Sequence, residues 1–263
     1  MGFSEIQNPV LKVEPPQFKC DRPIGKNVKE PLPNKAFAAA LIGSAGSGKT
    51  SLMINMLTNE HMYKQCFDHI HLVCPKSSMN SLKDDIWEQH PSDKIHNSMD
   101  FSVLDTIDKR SKERSRMKPD PETTLMVIDD MTIWLKNKTI EEKLREMIFN
   151  RRHNYLSIII LVQSYKAMPL DLRKTLSHFY MFKPRNKKEA EAIWEELMFV
   201  PRTVGDSLLQ YAFREPYDFL LGDCNSGEMY RNFNRIIIPE SGDEEVAVEE
   251  DDHRNPNQTL TKP

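Results

Sequence analysis

The 263-residue sequence contains no apolar run long enough to cross a bilayer. Its longest, Ala36–Ile42 and Ile158–Val162, fall far short of the ~20 residues a spanning helix needs. The opening stretch, MGFSEIQNPVLK, is polar and acidic where a secretory signal needs an apolar core. A chain that is neither secreted nor membrane-embedded is therefore expected. Cysteines are few: Cys20, Cys66, Cys74 and Cys224, with no pair in C-x-x-C spacing. That excludes a zinc ribbon and a thioredoxin-type redox site, and free thiols are the plain expectation. No internal repeat is present. With 39% hydrophobic and 29% charged residues, the chain is neither wholly disordered nor fibrous, and its length suits one α/β domain with small appendages.

The net charge of −3 hides an uneven distribution. Residues 240–263 hold eight acids and two bases, so residues 1–239 carry 34 bases against 31 acids. A mildly basic body with an acidic tail is the result, and such tails are usually solvated and disordered. At the other end, residues 1–34 contain Pro9, Pro15, Pro16, Pro23, Pro31 and Pro33, a density that argues for an extended arm lying on the body or on a neighbour. Three parts follow: an arm (1–34), a body (35–239) and a tail (240–263).

Within the body, strand and helix patterns alternate. Ala36–Ile42, His69–Cys74, Leu125–Ile128, Leu156–Val162 and His178–Phe182 read as strands. Lys49–Leu57, Thr139–Asn150 and Asn186–Phe199 read as helices with one apolar face. Tyr217–Gly222 and Met229–Ile238 read as a closing pair of strands around a turn at Cys224–Gly227. Residues 75–123, long and polar, are expected to hold helical excursions or loops. Uninterrupted apolar strands alternating with helices predict a mostly parallel sheet covered on both faces.

Gly43-Ser44-Ala45-Gly46-Ser47-Gly48-Lys49-Thr50 matches G-x-x-x-x-G-K-[ST] without a mismatch, between a buried strand and a helix. The glycines allow successive N–H groups to turn toward one point, and the following helix adds its positive end. Lys49 is placed to reach the β- and γ-phosphates of a nucleoside triphosphate, and the Thr50 hydroxyl to ligate Mg²⁺. Ser51 completes the candidate binding segment. Leu125–Asp130 is an apolar strand ending in two carboxylates. Asp129 is the natural metal partner, and Asp130 the candidate to orient or deprotonate the attacking water. Ile158–Ser164 ends in an amide, Gln163, that can sense the γ-phosphate or hold that water. A polar-ended strand between the loop strand and the acidic strand is the arrangement of ATPases that do mechanical work, whereas simple kinases and GTPases place those two side by side. For an arginine finger the sequence offers the pair Arg151 and Arg152 and, after the fourth strand, Arg173.

These segments resemble the FtsK–HerA superfamily of DNA-pumping P-loop ATPases, and within it the genome-packaging ATPases of nucleocytoplasmic large DNA viruses, virophages and related elements, the poxvirus type. The resemblance rests on GSAGSGKTSL (43–52), LMVIDDM (125–131), RRHNYLSIIILVQSY (151–165) with Leu172-Arg173, and YDFLLGD (217–223) with YRNF (230–233). It implies a three-layer RecA-like core over 35–239, a ring of identical subunits, ATP and Mg²⁺ as cofactors, and threading of double-stranded DNA into a preformed capsid through a capsid or portal vertex protein. It implies a place in the virion or the viral factory. Residue by residue, it makes Lys49 and Thr50 nucleotide- and Mg²⁺-binding, Asp129 the metal-linked acid and Gln163 the sensor, and it leaves the finger between Arg152 and Arg173. Many relatives carry Glu where this chain has Asp130. The alternative is another P-loop ATPase or a kinase that does not act on DNA.

Sequence-independent DNA contact needs basic residues. Lys109–Lys118 carries six bases and one acid, and Lys183–Lys188 is a second candidate. Neither run is interleaved with aromatics, which disfavours single-strand stacking. His69 and His71 alternate along a strand without further metal ligands in sight and are expected to be structural.

Overall fold

A computed structural model of the chain describes residues 22–79, 87–198 and 202–238. In chain order the elements are β1 (Ala38–Ile42), α1 (Lys49–Thr58), β2 (His69–Val73), α2 (Lys76–Met79), β3 (Ile95–His96), α3 (Phe101–Arg114), β4 (Thr124–Asp129), α4 (Lys138–Asn150), β5 (Leu156–Val162), α5 (Leu170–Arg173), β6 (His178–Phe182), α6 (Lys187–Ile193), α7 (Arg202–Ala212), β7 (Phe219–Asp223), β8 (Met229–Arg231) and β9 (Asn234–Arg235). One nine-stranded sheet runs β3-β2-β4-β5-β1-β6-β7-β8-β9. The strands from β3 to β6 are parallel, and β7, β8 and β9 each join antiparallel.

The central strands are apolar on both faces because both faces are covered. Alternate residues belong to different cores, as the period of two requires. Ala38, Ala40, Ile42, Ile158, Ile160 and Val162 pack with residues of α3, α4, α6 and α7. Ala39, Leu41, Ile159 and Leu161 pack on the other side with Leu52, Met53 and Met56 of α1. The result is the three-layer, mostly parallel α/β architecture expected. Helix starts are set by local chemistry: Asp100 accepts from the Val103 N–H at 3.0 Å, Asn137 from Thr139 at 3.0 Å and Asn186 from Glu189 at 3.1 Å.

The ends of the expected segments needed correction in several places. β1 begins at Ala38, since Ala36 and Phe37 precede the ladder. The helix expected over 186–199 is α-helical only to Ile193 and then widens into a π-turn, Trp194–Met198. The strand expected over Met229–Ile238 is two short strands, because Asn232 takes a left-handed φ of 56° and turns the chain back. α7 has no counterpart among the expected segments. Residues 75–123 contain α2, a 3₁₀ turn at Ser92–Lys94, β3 and α3. In the described part of the arm, Val28 and Leu32 are buried against the α1 side of the sheet. Residues 1–21, with Cys20, and the tail 240–263 lie outside the described residues.

A buried ion pair ties α3 to α4. Asp108, 1% exposed, accepts from Lys143 Nζ and from Lys112 Nζ, both at 2.7 Å. Removing one partner of such a pair leaves charge in the interior. Full loss of partners costs ~3–5 kcal/mol, and here Lys112 remains. Lys143→Met is therefore expected to lower unfolding stability by about 2 kcal/mol in a urea titration with unchanged slope, and an unmoved midpoint would refute the role given to the pair.

Candidate active site

The phosphate loop is an extension of the buried sheet. Gly43 N–H donates to Val162 O at 3.1 Å, carrying the β1–β5 pairing one residue past the strand. The chain then turns through Gly46 (φ 75°) and Gly48 (φ 103°), conformations that side chains rarely adopt. At Gly43 the constraint is space: a Cβ would lie 2.8 Å from Phe182 Cβ. α1 starts at Lys49 with no side-chain cap and no acid in its first turn. Its first N–H groups and its dipole therefore face the loop.

Five side chains named from the sequence converge on one cavity of about 280 Å³: Lys49, Thr50, Asp129, Asp130 and Gln163. Lys49 Nζ donates to Gly43 O at 2.7 Å and Ser44 O at 2.9 Å. Burial pushes its ammonium below the usual lysine range, while Asp129 and Asp130 act the other way. Thr50 Oγ1 donates to Asp129 Oδ2 at 3.4 Å, so a hydroxyl and a carboxylate stand side by side where an oxygen-binding divalent cation could sit. Burial raises the Asp129 carboxyl and the neighbouring Asp130 raises it further; Lys49 and the Thr50 hydrogen bond oppose both. Asp130 takes a left-handed φ of 55°, and Gln163 Nε2 donates to its Oδ1 at 3.2 Å. The topology explains the convergence. β5 lies between β1 and β4, so Gln163 projects between the loop and the acids.

Other residues singled out from the sequence stand elsewhere. Ser51 is exposed and lines neither this cavity nor its neighbour. Arg173 pairs with Glu196 at 3.2 Å and lies over the Tyr165 ring at 4.8 Å, away from the loop. Arg152 is exposed and shares with Arg151 a cavity of about 570 Å³ at the start of β5. That is the opposite end of the parallel strands from the loop, roughly 20 Å away at about 3.3 Å per strand residue. In the basic run of 109–118, Lys109, Arg110 and Lys112 are paired with Asp105, Asp93 and Asp108 respectively. His69 bonds Glu122 at 2.6 Å and Lys94 at 3.0 Å. His71 bonds His96 at 3.2 Å, and burial, reinforced by His96 and nearby cations, pushes it down to about 3.

Some site residues had no clear signal in the sequence. Ser78, from α2, lines the first cavity. A second cavity of about 360 Å³ flanks the loop on the side away from Asp129, lined by Ser44, Gly46, Ser47, Lys183, Arg185 and Tyr217 among others. The run from Lys183 that suggested DNA contact thus begins beside the phosphate loop.

A family model described as Poxvirus A32 protein matches residues 26–200. No curated protein matches the sequence. Among solved structures, the genome packaging NTPase B204 from Sulfolobus turreted icosahedral virus 2, in complex with AMP, is similar over 77% of this chain and 98% of its own, with 18% identity and a TM-score of 0.53. The DNA-packaging ATPase B204 from Sulfolobus turreted icosahedral virus is similar over 74% of this chain and 96% of its own, with 15% identity and a TM-score of 0.56. EccC of Thermomonospora curvata (ATPases 2 and 3, with a signal sequence peptide) covers 77% of this chain and 37% of its own, at 15% identity and a TM-score of 0.51. At these identities the likeness is one of fold.

The raised carboxyl of Asp129 has a consequence for stability. An acid whose folded-state pKa exceeds its unfolded value destabilises the fold when ionised, and the penalty disappears as pH falls through the folded value. Asp129→Asn is expected to raise the melting temperature of purified protein in chelator near neutral pH, with the gain shrinking as the medium is acidified. A variant that melts lower than wild type at neutral pH would contradict this electrostatic account.

Proposed function

Because the chain belongs to the poxvirus A32 protein family, we propose that it hydrolyses ATP and couples the hydrolysis to moving double-stranded DNA into a preformed viral capsid. One observation carries the reading: Lys49, Thr50, Asp129, Asp130 and Gln163 line a single cavity at the mouth of a glycine-rich loop. The loop N–H groups and the α1 dipole would hold the phosphates, and Lys49 would exchange its carbonyl partners for β- and γ-oxygens. Thr50 Oγ1 and an Asp129 oxygen would hold Mg²⁺, which offsets charge on those oxygens when bound. Gln163 and Asp130, already hydrogen-bonded to each other, would position a water in line with the γ-phosphorus. The water oxygen bonds to phosphorus, the bond to the β–γ bridging oxygen breaks, and Asp130 takes the water proton. Asp130 has a shorter reach than Glu, and the Gln163 amide supplies the second hold on the water.

The finer parts of the reading concern partners. Of the two finger candidates, exposure favours Arg152 for a neighbouring subunit's nucleotide, since the Arg173 side chain is largely covered beside Glu196. Arg152 is exposed at the sheet end remote from its own loop, so a ring of like subunits would bring it to the next site. DNA contact independent of sequence suits a motor that must move every sequence. The arm (1–34), ATPase domain (35–239) and acidic tail (240–263) remain the proposed division, with a capsid or portal vertex protein as docking partner in the virion or viral factory.

ATP hydrolysis by the purified chain, with and without linear double-stranded DNA, tests this. Hydrolysis should rise with DNA of any sequence and fall at least ~100-fold in Lys49→Ala, the loss expected when a principal phosphate donor is removed. Lys49-dependent hydrolysis indifferent to DNA, also with the capsid vertex protein present, would overturn the motor reading in favour of a kinase or another ATPase. Asp130→Asn and Gln163→Ala should lower kcat with little change in KM, since both act on the water; a rise in KM alone would place them in binding instead.

A further inference from the structure

Tyr217 is an exposed aromatic held in an unfavourable backbone conformation. Its φ is 68°, in the left-handed region that bulky residues avoid, yet the residue is 70% exposed. The strain is maintained from beneath by Asp218, which is buried. Its carboxylate accepts from the backbone N–H of Arg214 at 3.1 Å and Glu215 at 2.9 Å, from Arg231 Nη2 at 2.7 Å and from Asn232 Nδ2 at 2.9 Å. Burial works against ionisation here, but the donors on Asn232, Arg231 and Glu215 outweigh it and hold the carboxyl down at about 2. The turn carrying Tyr217 is therefore locked at any neutral pH.

The ring so held lies against the phosphate loop. A Cβ built on Gly48 would be 3.3 Å from Tyr217 Cδ1 and 3.3 Å from Phe182 Cε1. Tyr217 lines the second cavity together with Ser44, Gly46 and Ser47 of the loop. Pro184 and Pro216 add apolar surface, and Lys183 and Arg185 add positive charge at its rim. The side chains proposed to hold phosphate and metal, Lys49, Thr50 and Asp129, line the other cavity. Among the described residues the second cavity adjoins the loop at Gly46, so a ligand whose phosphates fill the loop from the first cavity could extend a flat apolar ring into it.

We propose that Tyr217 is the stacking platform for the base of the bound nucleotide, with Asp218 as the residue that positions it; this rests on the nucleotide reading of the loop given above. Recognition is by the face of the base and not by its edge, since an aromatic platform offers the same surface to any purine.

Titration calorimetry of the full chain with Mg-ATP and with inorganic tripolyphosphate separates the base from the phosphates. Tyr217→Ala is expected to weaken ATP about tenfold or more, the usual effect of deleting one base-stacking ring, with tripolyphosphate affinity unchanged within about twofold. Tyr217→Phe should bind ATP like wild type. Tyr217→Ala that binds ATP as tightly as wild type would overturn the proposal. So would equal losses of ATP and tripolyphosphate, which would make Tyr217 a prop for the loop. Wild-type protein that fails to bind ATP, or a Lys49→Ala variant that binds it normally, would overturn the phosphate-site reading and this proposal with it.

Discussion

The insertion of β5 between β1 and β4 is the constraint on which the rest of the site depends. Adjacent strands stand about 4.8 Å apart, so the phosphate loop and Asp129 are separated by about 10 Å at the strand ends. That gap is wide enough for a phosphate group and its cation, and it is floored by the end of β5. Gln163 stands there because β5 runs parallel to both neighbours in fixed register, Ala38 opposite Ile158 and Thr124 opposite Leu156. Every residue of β5 is buried. A slip of one residue would turn its apolar side chains to the wrong cores and move Gln163 off the site. Packing and chemistry thus share one register.

Burial acts on the site's charges in one direction. It discourages both the Lys49 ammonium and the Asp129 carboxylate, while their mutual attraction opposes the effect on each. Asp130 adds repulsion to Asp129 without adding a counter-charge. The cluster is therefore more favourable to a cation than its surroundings would be if the acids stood in open water. Stability given up at such a spot is a common feature of sites arranged for ligands.

Much of this was legible in the sequence because it is local. The loop, its flanking strand and helix, the paired acids and Gln163 each sit on a contiguous apolar run with a polar end, and β1, β2, β4, β5 and β6 fell within a residue or two of their expected bounds. What escaped was carried by distant segments. Tyr217 reaches the loop only because β7 turns back antiparallel onto β6, pairing Phe219 with Phe182. Ser78 arrives from a helix of four residues, too short to leave a periodic signal. The charge run of 109–118 has acidic partners, Asp93 and Glu146, that lie outside it on other elements. The helix α7 carries Gly205 in its interior, which weakens the helical signal, though its buried Leu208 and Ala212 share a face.

The outer strands of the described sheet, β3 and β9, are each two residues long. A long bare edge invites another chain to continue the ladder, and short edges deny it. Copies of this protein that associate through the described residues would accordingly have to meet through helices and loops, by side-chain complementarity, and not by merging their sheets. Such joints can slide and re-form without unzipping backbone hydrogen bonds, the kind of seam that repeated motion between neighbours requires.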